Sequence, residues 1–363
     1  MDAEITSLAV SAFQVATDGA ESDGTLSWNS TTMVLVEAAA GETKGLGFTY
    51  ADRATAVLIQ EKFRSLVEGR DALDIAGTWQ AMIHSIRNLG RPGIVSMAIS
   101  AVDTALWDLK SRLLGLPLVK LLGQVRPSIS AYGSGGFTSY SITRLQEQLG
   151  AWAGEGLKNV KMKIGHRLET ELPRVRAARE AIGQTTGLFV DSNGACHVKE
   201  ALELAREFQP YLIRWFEEPV SSDDLDGLAT IRTEAPPPML IAAGEYGYDA
   251  FYFRRMLEAK AVDVLQADAT RCAGVTGFMQ VATLCDAFQT PLSAHTAPSI
   301  HQHLCCSAMR ACNVEYFFDH YRIEQMFFDG AARPMGGELI PDLSQPGLGL
   351  EFKRRDAQKF AIS

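Results

Sequence analysis

Lys163, Asp191, Glu217, Glu245, Asp268 and His295 are the side chains of this sequence best suited to chemistry, and they follow one another at separations of 28, 26, 28, 23 and 27 residues. Each interval is the length of one strand-plus-helix unit. Asp191, Glu217 and Glu245, in VDSN, FEEP and GE, form an all-oxygen set suited to a hard cation such as Mg²⁺ that keeps positions for substrate oxygens. Without a cation such a cluster repels itself. Taken singly, an acidic strand end is more often a helix cap or an arginine partner; three in successive units favour the metal reading.

In VKMKIG, Lys161 and Lys163 are two apart, so on a strand they share a face, with Met162 on the other. Neighbouring ammonium groups depress each other's pKa and a cation adds to this, so the pattern suits one lysine as a neutral base. Alone, KxK fits a solvated strand end as well. His295 closes TPLSAH and Asp268 closes VDVLQAD, so a carboxylate on the adjacent strand can orient the imidazole and raise its basicity. A lone histidine is more often structural; this placement favours function. SAHTAPSIHQH also offers a soft-metal set of His295, His301 and His303, but the last two stand two apart on an expected helix and cannot share its face.

The elements that must position these groups read as repeated βα units from about residue 128 onward. Short apolar, β-rich runs lie at 128–134, 159–165, 187–193, 213–219, 239–245, 262–268, 290–296 and 314–320, eight in all. Segments of helical period separate them, including LETELPRVRAAREAIG with Pro173 expected near its first turn, HVKEALELAREFQ and SIHQHLCCSAMRAC. Eight parallel strands with intervening helices close most economically into a barrel, whose active site lies at the C-terminal strand ends. The polar strand ends would then converge on one mouth, with Lys161 and Lys163 facing the interior.

Residues 1–125 read as a separate α+β domain, with strand-like ITSLAVSAFQV and TTMVLVEAAA and helices near 53–69, 77–89 and 93–114. The barrel is expected over 126–330, and 331–363 holds strands and turns outside it. DGAESDGTLSWNS, residues 18–30, is rich in Gly, Ser and Asp and reads as a mobile loop.

The 363 residues carry a net charge of -9, which argues against nucleic acid or an anionic membrane as partner, because phosphates need clustered Lys and Arg. A small anionic substrate fits if positive charge is local. Six cysteines fall mostly in apolar runs without a CxxC pair, as buried free thiols do. The acidic start has no basic segment ahead of an apolar run, and no apolar stretch reaches the length of a membrane span, so a soluble cytoplasmic protein is expected.

Together, KMK, VDSN, FEEP, GE, QAD and SAH resemble the mandelate racemase subgroup of the enolase superfamily. AISAVDTALWDLKSRLLGLPLVKLLG, residues 98–123, is similar to that family's junction between capping domain and barrel. The resemblance covers essentially the whole chain and implies a (β/α)7β barrel with an N-terminal α+β capping domain completed by the C-terminal segment. It further implies Mg²⁺ held by Asp191, Glu217 and Glu245, Lys163 as acid/base with Lys161 supporting it and contacting the substrate carboxylate, and His295 with Asp268 serving the opposite face. Asn193 matches a substrate-contacting position. Trp28, in the 18–30 segment, and the stretch from Tyr50 to Arg53 correspond to capping loops that close over the mouth. One departure concerns the eighth strand, VEYFFDH, which puts Phe318 where mandelate racemase has a glutamate; Glu315 or Asp319 takes that place if the register differs.

The chemistry implied is abstraction of the proton α to a carboxylate. The departure on the eighth strand weighs against mandelate racemisation itself, and dehydration of a sugar acid becomes the leading expectation. A racemase, epimerase or lactone cycloisomerase in the same site is the first rival. A noncatalytic binding protein on a barrel scaffold is the second. The resemblance also implies a homo-oligomer, a dimer or an octamer built from dimers.

Overall fold

The computed structural model describes residues 3–362. Three antiparallel strands open the chain: β1 (Ser7–Ser22), β2 (Ser27–Ala40) and β3 (Thr43–Tyr50). Helices α1 (Ala54–Leu58) and α2 (Arg64–Val67), joined by a π-helical turn, precede α3 (Ile75–Ser85), α4 (Ile94–Leu113) and α5 (Leu118–Leu122). The long apolar α4 lies directly on β3. A Cβ on Gly45 or Gly47 would stand 2.3 or 2.2 Å from the Ala105 or Ala101 carbonyl oxygen, so glycine sets the distance between strand and helix.

Residues 18–30 are not a mobile loop. β1 and β2 run through most of that segment and pair up to Glu21–Trp28 and Ser22–Ser27, leaving a tight turn in which Asp23 accepts from the Thr25 and Leu26 amides at 2.7 Å. The Gly, Ser and Asp content that suggests a loop supplies this turn and its Asx geometry.

The barrel strands and helices alternate: β4 (Ile129–Gly135), α6 (Ile142–Gly154), β5 (Asn159–Lys163), α7 (Leu168–Ile182), β6 (Gly187–Asp191), α8 (Val198–Glu207), β7 (Ile213–Glu217) and α9 (Leu225–Glu234). They continue with β8 (Leu240–Ala243), α10 (Ala250–Glu258), β9 (Val264–Ala267), α11 (Gly274–Ala287), β10 (Leu292–Ala294), α12 (Pro298–Cys305), β11 (Ala311–Phe317) and α13 (Phe318–Phe327). Among the described residues these eight strands pair in parallel and in order, and β11 pairs with β4 to close the ring. Pro173 sits at the sixth residue of α7 rather than in its first turn, because the helix begins at Leu168.

Inside the barrel, side chains follow the period of two. Tyr132, Phe189, Trp215, Ala242 and Val264 form a buried floor, with the Phe189 and Trp215 rings stacked at 4.9 Å. Asp191 and Glu217 stand two residues further along the strands of Phe189 and Trp215, one layer higher on the same face. The aromatic floor thus closes the site from below.

The chain then adds β12 (Phe328–Asp329), β13 (Glu338–Leu339), β14 (Glu351–Phe352) and β15 (Ala361–Ile362). β13 pairs antiparallel with β4 at the bottom of the barrel, and β15 returns to pair with β1. Asp108 of α4, fully buried, accepts from the Leu46 and Leu348 amides and from Arg112, joining β3, α4 and the C-terminal segment. No helix among the described residues is long and apolar enough to cross a membrane.

Candidate active site

Lys163, Asp191 and Glu217 are the last residues of β5, β6 and β7, while Glu245, Asp268 and His295 lie just past β8, β9 and β10. All six are buried at one end of the barrel, as is Lys161. Parallel strands in register place these ends side by side; Lys163 pairs with Asp191, and Asp191 with Glu217, across adjacent strands.

The carboxylate oxygens of Asp191, Glu217 and Glu245 lie within 4.8 Å of one another, and no other such acidic, histidine or cysteine triad occurs among the described residues. The set is all oxygen, and Glu245 Oε2 is buried without a hydrogen bond. Glu218 and Glu315 add two more buried carboxylates nearby. Burial and this crowding push Glu217 and Glu218 well above the usual carboxylate range. The donor set therefore fits a hard divalent cation, which would relieve that repulsion.

The lysines are embedded in the same charge. Lys161 Nζ donates to Glu217, lies 2.8 Å from Glu315 Oε1 and 3.3 Å from Asp191 Oδ2, and Lys163 Nζ donates to Asp191. Burial works against both ammonium groups, but Glu217 and Glu315 at Lys161, and Asp191 at Lys163, carry both above the ordinary lysine value. The mutual depression expected from KxK does act on Lys163, and the carboxylates outweigh it. Asp191 is correspondingly held low: burial opposes its charge, and Lys163 and Lys161 more than compensate.

His295 Nδ1 lies 2.9 Å from Asp268 Oδ2, while its Nε2 stands 3.3 Å from Glu245 Oε2 and 3.6 Å from Glu315 Oε2. Asp268 Oδ1 accepts from the Thr270 amide and hydroxyl, both at 2.7 Å. Burial alone would raise Asp268, but the His295 hydrogen bond and charge bring it below the carboxylate range. An ionised Asp268 only accepts, so Nδ1 carries a proton and Nε2 is the nitrogen turned to Glu245 and Glu315. Arg271, 3.6 Å from Glu245 and 3.7 Å from Asp268, braces the two strand ends.

The eighth strand resolves the register. β11 ends at Phe317, so Phe318, Asp319 and His320 begin α13 instead of extending the strand. Glu315 points inward to Lys161, and its Oε2 accepts from the Thr296 amide at 3.2 Å. Phe318 lies outside the strand, at the start of α13. Asp319 is drawn to the capping domain, accepting from Trp28 Nε1 at 3.3 Å, Thr31 Oγ1 at 3.2 Å and Arg322 at 3.3 Å. Strand parity along VEYFFDH separates Phe318 from Glu315 but not Asp319, which shares the parity of Glu315; the end of β11 at Phe317 decides between those two.

The remaining predicted residues lie around the mouth. Asn193 takes a left-handed backbone (φ 48°), donates its amide to Asp191 Oδ1 at 2.9 Å, and keeps a buried Oδ1 without a hydrogen-bond partner. The β1–β2 hairpin reaches it: Thr25 Oγ1 lies 3.4 Å from the Asn193 carbonyl, and Gly24 packs so closely that a Cβ would be 2.2 Å from Ser192 O. Trp28 Nε1 lies 3.0 Å from Glu21 Oε2, and its ring stands edge-on to Phe137 at 5.3 Å. Tyr50 stacks on His320 at 3.4 Å, and its hydroxyl donates to the His320 carbonyl (3.1 Å) and lies 3.3 Å from Glu324. Beside Asn193 and Glu218 a cavity of about 570 Å³ opens under Tyr246, Tyr248 and Tyr252. His301 and His303 are not part of a metal set: His301 Nε2 accepts from the Ala269 amide, and His303 Nε2 meets the Leu348 carbonyl.

Comparison with known proteins bears on the whole of this arrangement. Residues 144–357 match the Enolase C-terminal domain-like family, and residues 13–123 match the mandelate racemase / muconate lactonizing enzyme N-terminal domain. A mandelate racemase/muconate lactonizing enzyme-like protein from Rubrobacter xylanophilus is 50% identical, superposes with a TM-score of 0.97, and is matched over 99% of this chain and 100% of its own. L-talarate dehydratase from Polaromonas, solved with Mg and L-glucarate, is 28% identical with a TM-score of 0.89 over 99% of this chain and 98% of that one. The 3,6-anhydro-α-L-galactonate cycloisomerase of Streptomyces coelicolor is 32% identical over 88% of this chain and 89% of its own length. With both of its domains matched and its strand-end residues converging at one mouth, this chain belongs to the mandelate racemase subgroup of the enolase superfamily.

Proposed function

We propose that this protein is a Mg²⁺-dependent acid-sugar dehydratase, in which Asp191, Glu217 and Glu245 hold the metal and Lys163 and His295 serve opposite faces of the substrate. The observation that carries the reading is a carboxylate triad flanked by two candidate bases at the ends of separated strands, β5 and β10. The Polaromonas dehydratase, bound to Mg and L-glucarate, supports both the cation and the substrate class.

A bound Mg²⁺ would supply Lewis acidity and offset the second negative charge that develops on the substrate carboxylate when the α-proton leaves. Lys161, fixed between Glu217 and Glu315, lies where it can pair with that carboxylate. His295 Nε2 takes the α-proton, or Lys163 Nζ does once a cation held by Asp191 withdraws the carboxylate that keeps this lysine charged. The electron pair of the broken C–H bond forms the Cα–Cβ double bond, the β-hydroxyl leaves as water after protonation, and the enol tautomerises to a 2-keto-3-deoxy acid. Asp268 holds the proton on Nδ1, keeping Nε2 free to act as the base. The aromatic floor and the docked hairpin exclude water from the buried charges.

The likeness to the Streptomyces cycloisomerase favours one second reading, in which the same proton abstraction opens a ring or inverts a centre without loss of water. A screen of the purified protein, with Mg²⁺ and then EDTA, against mono- and diacid sugars separates the two. Mg²⁺-dependent 2-keto acid identifies dehydration. Solvent deuterium entering recovered acid without loss of water identifies the isomerase, and neither signal rejects α-proton chemistry. A cytoplasmic location and a dimer or octamer belong to the same proposal; free thiols at all six cysteines support the first, and the family resemblance supports the second.

A further inference from the structure

His320 is a buried residue in the first turn of α13, just past the end of β11, that the chemistry above does not use. β11 places Glu315 and Phe317 two apart, so both face the same side, with Phe317 one layer above the Lys161–Glu315 pair. The His320 ring stands edge-on to Phe317 at 5.1 Å and face-on to Tyr50 of the capping domain at 3.4 Å. It is 8% exposed, and its Nδ1 is buried without a hydrogen-bond partner among the described residues. The charges acting on it belong to the site: His295, Asp268, Arg271 and Glu315. Burial holds it well below the ordinary histidine value, so the imidazole is neutral.

An unpaired polar atom in such a place costs free energy unless something completes it. A neutral imidazole gives no counter-charge to a second carboxylate, whereas a hydroxyl can donate to it or accept from it. We propose that His320 is a specificity-determining residue, hydrogen bonded through its ring to a hydroxyl of the substrate chain beyond the reacting carbons. The proposal rests on the sugar-acid reading of the site. A ring that merely fills the joint between Phe317 and Tyr50 is the alternative.

The test uses whichever sugar acid of the panel the wild-type enzyme dehydrates or labels with deuterium, together with its analogue lacking one distal hydroxyl. His320→Phe keeps the stack and removes the nitrogens; His320→Asn keeps a polar atom near Nδ1 and removes the ring. His320→Phe is expected to raise KM for the full substrate by roughly three- to tenfold, the worth of one neutral hydrogen bond, with kcat and thermal midpoint little changed. It should leave KM for the matching deoxy analogue unaltered, and His320→Asn should recover part of the loss. Equal KM for wild type and His320→Phe on every pair overturns the proposal while leaving the sugar-acid reading intact. A wild-type enzyme inactive towards every sugar acid overturns that reading and this proposal together.

Discussion

Asp268 and His295, at the ends of adjacent strands, meet at 2.9 Å through Oδ2 and Nδ1, and the opposite ring nitrogen is thereby turned to within 3.3 Å of Glu245 in the carboxylate triad. One hydrogen bond thus decides both the tautomer and the direction of the imidazole.

Asp268→Asn is the sharpest test of that bond. An amide at this position can present its NH2 to Nδ1, which moves the ring proton to Nε2 and removes the base. By analogy with carboxylates that orient a catalytic imidazole elsewhere, kcat is expected to fall by about 10³ or more with little change in fold. Steady-state kinetics beside near-UV circular dichroism check it; kcat within tenfold of wild type rejects the orienting role.

Glu217→Gln removes one negative oxygen from the triad. The Mg²⁺ concentration for half-maximal activity is expected to rise by about tenfold or more, with turnover falling alongside. A Mg²⁺ titration of activity, paired with calorimetric Mg²⁺ binding, reads both, and an unchanged titration rejects the metal assignment.

Lys163→Ala and His295→Asn separate the two faces. Each is expected to abolish solvent-deuterium incorporation at Cα for one stereochemical series and to spare the other. Proton NMR of paired epimers in D₂O distinguishes this from a single-base site, in which one of the two variants keeps full activity on both epimers.

Glu21, on the hairpin beside Asp319, is raised from 4.5 to about 9, first by burial and then by its Asp319 hydrogen bond and charge. The folded protein therefore holds a proton that the unfolded chain releases near pH 4.5. Its contribution to stability is fully present below that pH, declines as pH rises, and is lost as pH passes about 9. Thermal midpoints followed from pH 6 to 10 are expected to fall less steeply in Glu21→Gln, which cannot ionise. Parallel curves for the two proteins refute the assignment.

Much of the site is legible in the sequence because its chemistry sits at a repeating position. A βα unit of nearly constant length places one strand end every 23 to 28 residues, and six successive ends carry an ionisable group. The two-residue period of a strand then puts Lys161 beside Lys163 on the inner face. These are local and periodic features, and the eight strands, the barrel and the triad followed from them.

What the tertiary structure alone decided are relations between residues far apart in the chain. Glu315, not Asp319, meets Lys161, because β11 stops at Phe317 and turns Asp319 towards Trp28 and Thr31. Both lysines are driven towards the charged state by carboxylates from β6, β7 and β11, a sum over strands that no local pattern contains. The segment that composition marks as a loop becomes a hairpin because its tip finds Ser192 and Asn193 some 170 residues away in sequence. Sequence periodicity determines which face of its own element a side chain takes; which charges and surfaces it meets there depends on how the elements pack in space.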